Sequence, residues 1–293
     1  MTSIGSVAAS GDARLQFGDR HHTTHNHYSA NRDQCLADLR VTDPRDDKAR
    51  IEGTKGDLLE DSYSWIRENA EFQQWENDED SPLLWIKGDP GKGKTMLFCG
   101  IINELKKDTK NRVSFFLCQQ TDLRLNSATA VLRGITYLLI NEQPSLRSHL
   151  QQKYDHAGQS LFEDDDAWWS LCEIVTDMLK DRNLEKTFLL IDGLDECSVD
   201  LPLLLKFITK SYNTSSVKWI VTSRNWPSIE EHMEIAEQKA TLCLELNDSS
   251  ISASVKSYVH HRVNRLVRMK SLDNDVQQSV QNYLESHSNG TFL

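Results

Sequence analysis

The 293-residue sequence predicts an α/β protein, a three-layer sandwich with a mostly parallel sheet, followed by a small helical subdomain. Three observations carry that prediction. Short, continuously apolar runs alternate with segments of helical period, as strands buried on both faces alternate with their crossover helices. The first run, Leu83–Ile86, passes through a glycine-rich turn directly into a helical segment. The third run, Thr187–Ile191, ends on an acid, Asp192.

In chain order, residues 1–32 are polar, small and histidine-bearing, and read as a flexible N-terminal arm. Residues 33–82 form a helical lead-in. Within it Asn31–Leu39 begins a short helix, Pro44–Gly56 is charged and loop-like, and Asp57–Trp75 has helical spacing interrupted near Asn69. Its aromatic residues Tyr63, Trp65, Phe72 and Trp75 suit core packing better than a base-stacking platform. Asn77–Pro82 is an acidic turn into the first strand.

Residues 83–248 form the main domain. After the Leu83 strand come a helix over Thr95–Lys107 and a second strand over Arg112–Cys118. A helix capped by Asn126 runs to about Asn141, and Ser145–Tyr154 is another. Asp164, Asp165 and Asp166 open a helix through Lys180, where the macrodipole favours carboxylates; that explains them at lower cost than a metal site. The strand Thr187–Ile191, a helix over Leu201–Lys210, and strands over Val217–Val221 and Thr241–Leu246 follow. Residues 249–293, with helices near Ser249–Met269 and Asn274–His287, begin a helical domain that is incomplete.

Composition narrows the function classes. A net charge of −11 offers no basic face for direct nucleic-acid binding. The six cysteines, Cys35, Cys99, Cys118, Cys172, Cys197 and Cys243, lie far apart without a C-x-x-C pair, and Cys99, Cys118, Cys172 and Cys243 sit inside apolar runs, as reduced core cysteines do. No apolar run approaches the ~20 residues of a membrane span, and no signal peptide is evident. A cytoplasmic protein is expected.

The stretch LLWIKGDPGKGKTM carries the chemistry. Gly88, Asp89, Pro90, Gly91, Lys92, Gly93, Lys94 and Thr95 match the phosphate-binding loop G-x-x-x-x-G-K-[ST] at every fixed position. The glycines permit backbone angles that turn successive N–H groups onto a phosphate. Lys94 supplies a point charge, and Thr95 offers a hydroxyl to Mg²⁺ while opening a helix whose positive end faces the anion. Chance produces the four fixed positions in a chain this long on the order of once in a hundred. About 100 residues on, Asp192 ends a buried strand where a carboxylate can hold a Mg²⁺ water. Asp195 and Glu196 can position or polarise an attacking water, and Arg224, after the next strand, is a cation available to a γ-phosphate.

Taken together and in order, LLWIKGDPGKGKTM, SFFLCQ, AVLRGITYLLI, FLLIDGLDEC and WIVTSR resemble the NACHT-type NTPase domain of the STAND class, over roughly residues 32–293. The likeness is to fungal NOD-like receptor proteins, whose domain also resembles the nephrocystin-3 N-terminal module. It implies a P-loop NTPase fold and an ATP- or GTP-dependent signalling switch with slow Mg²⁺-dependent hydrolysis. A diphosphate-bound closed form would open and self-associate on triphosphate exchange. By the resemblance, Lys94 and the loop backbone bind phosphates, Thr95 and Asp192 serve Mg²⁺, Asp195 and Glu196 support hydrolysis, and Arg224 matches the sensor arginine.

Proteins of this kind usually continue into a winged helix and sensor repeats, whereas this sequence stops at Asn289–Leu293; a fragment or a truncated product is expected. The choice between ATP/ADP and GTP/GDP stays open, with base contacts expected from Ala49–Gly56. A rival reading is a non-catalytic adaptor that binds nucleotide for structure and engages an effector through its arm. In that arm His21, His22, His25 and His27 read as a solvated tract, a metal site or part of a self-associating β motif with Leu15–Asp19.

Overall fold

The computed structural model describes residues 34–78, 80–211, 217–236 and 239–292. The arm at 1–32, with its histidine and β-motif readings, lies outside them.

Five strands form one sheet: β1 (Leu83–Lys87), β2 (Arg112–Leu117), β3 (Thr187–Asp192), β4 (Val217–Ser223) and β5 (Lys239–Cys243). Their order is β2-β3-β4-β1-β5, and every pairing is parallel. β3 is buried at all six positions and β1 at four of five, which requires cover on both faces. β5, at one edge, alternates buried and half-buried residues. Register places Lys87 opposite Ser223 and Leu117 opposite Asp192, so the loop after β1 and the acid of β3 open on the same edge of the sheet.

The covering helices are α1 (34–39), α2 (Pro44–Lys55), α3 (Ala70–Asn77), α4 (Lys94–Leu105), α5 (Ala128–Glu142), α6 (Arg147–Ala157), α7 (Ala167–Leu179), α8 (Leu201–Ser211) and α9 (Pro227–Glu234). Two more, α10 (Asp248–Lys270) and α11 (Asn274–His287), form the helical subdomain. The core runs along both faces of the sheet and includes the fully buried Trp75, Phe98, Phe115, Phe188 and Trp219. Burying each such side chain stabilises the fold by roughly 1.5–3 kcal/mol. Tyr63, Phe72 and Trp75 are buried, as core packing requires. The cysteines at all six positions are free. Among the described residues no helix is long and apolar enough to cross a membrane, and no group of three or more His, Cys, Asp or Glu is placed to hold a metal ion.

Four elements differ from the sequence reading. Pro44–Gly56 is a helix rather than a loop: Asp43 caps it by accepting the Arg45 N–H, Pro44 sits in its first turn, and Gly56 ends it in the left-handed conformation. Only Pro44, Asp47 and Ile51 of that helix are buried, so the apolar period that betrays a helix is missing. Asp57–Trp75 begins as two 3-10 turns, Glu60–Ser62 and Ser64–Glu68, before Asn69 caps α3. The cap of α5 is Ser127, which accepts from Ala130 N at 3.1 Å; Asn126 instead donates to Gln120 O. The last strand is Lys239–Cys243, and Leu244–Asn247 turns away as a 3-10 segment.

Candidate nucleotide site

β1 delivers Gly88 to the sheet edge, where Gly88 N donates to Ser223 O at 3.3 Å. Gly91 and Gly93 both take φ +81°, a conformation that costs other residues roughly 1–2 kcal/mol. Two left-handed residues so close together curl the loop into a concavity of backbone N–H groups. α4 starts immediately after, and no side chain caps its first turn, so its free donors and positive end face that concavity. The remaining loop residues play lesser parts. Asp89 N is already taken by Glu245 Oε1 at 2.5 Å, Pro90 has no N–H, and Lys92 Nζ pairs with Asp248 of α10 at 3.2 Å. Lys94 folds over the loop, donating to Gly88 O at 2.5 Å and Asp89 O at 3.0 Å. Burial lowers its pKa, and the charges of Asp195 and Asp192 oppose that shift.

Asp192 is 4% exposed at the end of β3. Thr222 of β4 donates its hydroxyl to Asp192 Oδ1 at 2.6 Å and accepts the Gly193 N–H at 2.9 Å, which fixes the carboxylate. Desolvation raises the Asp192 pKa, and hydrogen bonds from the Thr222 and Thr95 hydroxyls work against it. Thr95 and Asp192, 97 residues apart in sequence, therefore adjoin. Both are hard oxygen donors at one point of the cavity, a set that fits Mg²⁺ completed by water and phosphate oxygens.

Gly193 turns left-handed (φ +70°), and the 3-10 turn Leu194–Glu196 sends the next two acids in different directions. Asp195, 6% exposed, accepts from Arg224 N at 2.9 Å and forms an ion pair with Arg224 Nε at 3.0 Å. That pairing holds the Asp195 carboxylate and aims Arg224, whose side chain is 43% exposed, along the cavity wall. Glu196 is only half-buried, with one weak bond from Gln120 N at 3.3 Å. Burial raises its pKa; the Gln120 N–H opposes this, and the neighbouring Asp192 and Asp195 add to it. A carboxylate with these properties suits a general base.

Lys94, Thr95, Asp192, Asp195, Glu196 and Arg224 all line one cavity of about 470 Å³, within the size range of small-ligand sites. Its remaining wall was not visible in the sequence. Thr54 and Lys55 end α2 there, inside the segment expected to meet the base, but Tyr258 and Arg262 of α10 and Phe292 join them. Tyr258 donates to Lys55 O at 3.1 Å, and the Arg262 guanidinium lies so close to Gly56 that a Cβ there would displace it. Phe292 N donates to Gly91 O at 2.8 Å, and its ring covers Gly93, where a Cβ would stand 2.5 Å from it. Tyr258 meets that ring edge-on at 5.6 Å. These contacts join residues about 200 positions apart, so no local pattern announces them; aromatic residues on a polar helical segment were the available hint.

The chain is 57% identical over 263 residues to vegetative incompatibility protein HET-E-1 of Podospora anserina, a match covering 89% of this chain and 19% of that protein. It thus spans about a fifth of that relative's length. Among solved structures, a chain of Drosophila ORC bound to DNA aligns at TM-score 0.46 and 14% identity, covering 78% of this chain and 59% of that one. C. elegans PCH-2 aligns at 0.36 and 16%, covering 78% and 49%. Scores this low carry no weight, and the fold assignment rests on the sheet itself. The model of the nephrocystin 3 N-terminal family matches residues 61–224, from before β1 to Arg224, and so takes in both the Gly88–Thr95 loop and the Asp192–Glu196 turn. The chain belongs to the nephrocystin 3 N-terminal family, a NACHT-like P-loop module.

Proposed function

We propose that the chain is a nucleotide-operated signalling switch that binds ATP or GTP and hydrolyses it slowly with Mg²⁺. The observation that carries this reading is the meeting of three groups in one cavity: the left-handed Gly91–Gly93 loop with Lys94, the Thr95–Asp192 oxygen pair, and Glu196. The loop N–H groups and Lys94 bind the phosphates. Thr95 and Asp192 would hold Mg²⁺, which would supply positive charge to offset that of the phosphates. Glu196 takes a proton from the attacking water. Arg224, braced by Asp195, meets charge at the γ-phosphate, so Asp195 acts through Arg224 rather than on water. Tyr258, Phe292 and Thr54 flank the base.

The switch reading extends to the whole module. Residues 33–82 act as a lead-in, 83–248 as the nucleotide domain and 249–293 as the start of a helical lid. Because α10 and Phe292 touch the loop directly, a change at the phosphates moves the lid. Likeness to HET-E-1 supports a cytoplasmic role in fungal vegetative (heterokaryon) incompatibility, with self-association on triphosphate binding and an effector engaged through the arm. The test is single-turnover hydrolysis of γ-labelled ATP and GTP by the chain and by Glu196→Gln. Slow Mg²⁺-dependent release that falls in the variant, with binding retained, supports the switch. Tight binding with equal, background release in both proteins would leave a non-catalytic adaptor.

A further inference from the structure

A second cavity, of about 420 Å³, lies away from the nucleotide site, between α7 and α8. α7 leads into the first residues of β3, and α8 leads from the end of β3 back towards β4, so both helices run against the strands. Their C-terminal ends therefore lie at the sheet edge opposite Asp192. The groove floor is apolar and fixed: Phe207 stands edge-on between Trp168 at 6.2 Å and Trp219 of β4 at 6.4 Å. Cys172 and Leu203 continue it, and Trp169, 62% exposed, forms a lip.

The polar groups of this groove have one sign. Lys180, Lys206 and Lys210 line it, with no carboxylate among its lining residues. None of the three forms an ion pair with a carboxylate of the described residues, in a chain whose net charge is −11. Helix dipoles account for cations at the last turn, hence for Lys180 and Lys210, but not for Lys206 in the middle of α8. Lys206 and Lys210 are also four residues apart on one helix, where like charges repel. Apolar side chains run the length of the groove, from Trp168 and Leu203 to Leu179 and Phe207, and the three lysines border the half nearer the helix ends.

We propose that this groove binds a single-chain amphipathic carboxylate, an acyl anion. Its tail lies on Trp168, Cys172, Leu203 and Phe207, and its head sits among Lys206, Lys210 and Lys180. Leu203 to Ser211 spans about 12 Å of helix, which holds the headgroup and the adjoining part of the tail. The volume is within the range of small-ligand pockets. Occupancy neutralises the repelling lysine pair and covers Trp169.

The test titrates the full 293-residue chain with sodium dodecanoate below its micellar range. Tryptophan fluorescence, calorimetry and protection of Cys172 from an aromatic disulfide reagent are read together. Saturable one-to-one binding is expected, with dodecyltrimethylammonium failing to bind. The exposed double variant Lys206→Glu/Lys210→Glu should lose about tenfold or more in affinity at low salt while melting like the parent. Cys172→Phe, which fills the groove, should bind more weakly still; if it does not fold, the charge-reversed protein alone decides. Equal binding of the cationic detergent, unchanged affinity in the double variant, non-saturating uptake, or binding only to anionic phospholipid vesicles overturns the proposal.

Discussion

Replacing Asp192 by Asn separates what the fold wants from what the site wants. The substitution keeps shape, and the amide oxygen can still accept the Thr222 hydroxyl at the 2.6 Å position. What it removes is a buried negative charge whose pKa desolvation raises. Below the unfolded carboxylate pKa of about 3.9 both states are protonated and the group costs nothing. As pH rises towards the folded-state value, the unfolded chain ionises first and stability falls; above that value the penalty is complete. At neutral pH the nucleotide-free Asp192→Asn variant should therefore be more stable than the parent, by about 1 kcal/mol, or roughly 2 °C in melting temperature for a chain of this size. Binding should move the other way. Loss of the charge-assisted contact to the hydrated metal costs about 1.5–3 kcal/mol, roughly ten- to a hundredfold in Mg²⁺-dependent affinity. Differential scanning calorimetry without nucleotide, and isothermal titration with Mg²⁺ or with chelator, read both effects. A lower melting temperature without nucleotide, or equal losses with and without Mg²⁺, would refute the reasoning.

Three further outcomes follow from the geometry. Lys94→Ala should cut nucleotide affinity about ten- to a hundredfold by equilibrium titration while circular dichroism stays unchanged, because its two present acceptors are carbonyls of the loop itself and it bridges no other element. Glu196→Gln should spare affinity and lower turnover; in the parent, turnover should rise with pH through a step above the ordinary Glu value of about 4.3, since the base must be ionised and its pKa is raised, and that step should vanish in the variant. Arg224→Ala should lower turnover and also destabilise the chain by about 1–2 kcal/mol in urea, because buried Asp195 loses its counter-charge and keeps only the backbone N–H of position 224; Arg224 is itself partly exposed, which keeps the loss below that of a fully buried pair.

The sheet and the turn between β1 and α4 were legible because their signals are local. Continuous apolar runs such as FLLI and the fixed spacing of Gly88, Gly93, Lys94 and Thr95 need no distant partner to be read. The different surroundings of Asp195 and Glu196 were not legible. Two adjacent acids look alike until Gly193 turns the chain and Arg224, from another strand, claims one of them. The helix α2 was missed because it lies on the surface with a single aliphatic residue, Ile51, buried; its cap and its Lys48–Glu52 pair were the readable signs. β5 was placed two residues late because Leu244 and Leu246 extend its apolar alternation, while Glu245 is drawn off to hold Asp89 N. The wall of Tyr258, Arg262 and Phe292 depends on α10 folding back across the loop, a tertiary fact that no window of sequence contains.

The most direct measurement is isothermal titration of the 293-residue chain with Mg·ATP and with Mg·GTP, alongside Lys94→Ala as the control. One-to-one binding of at least one triphosphate, lost or much weakened in the control, is the predicted result. Heat-silent titrations with both nucleotides in a protein that melts cooperatively, or binding that Lys94→Ala leaves untouched, would contradict the assignment of this cavity to a nucleotide.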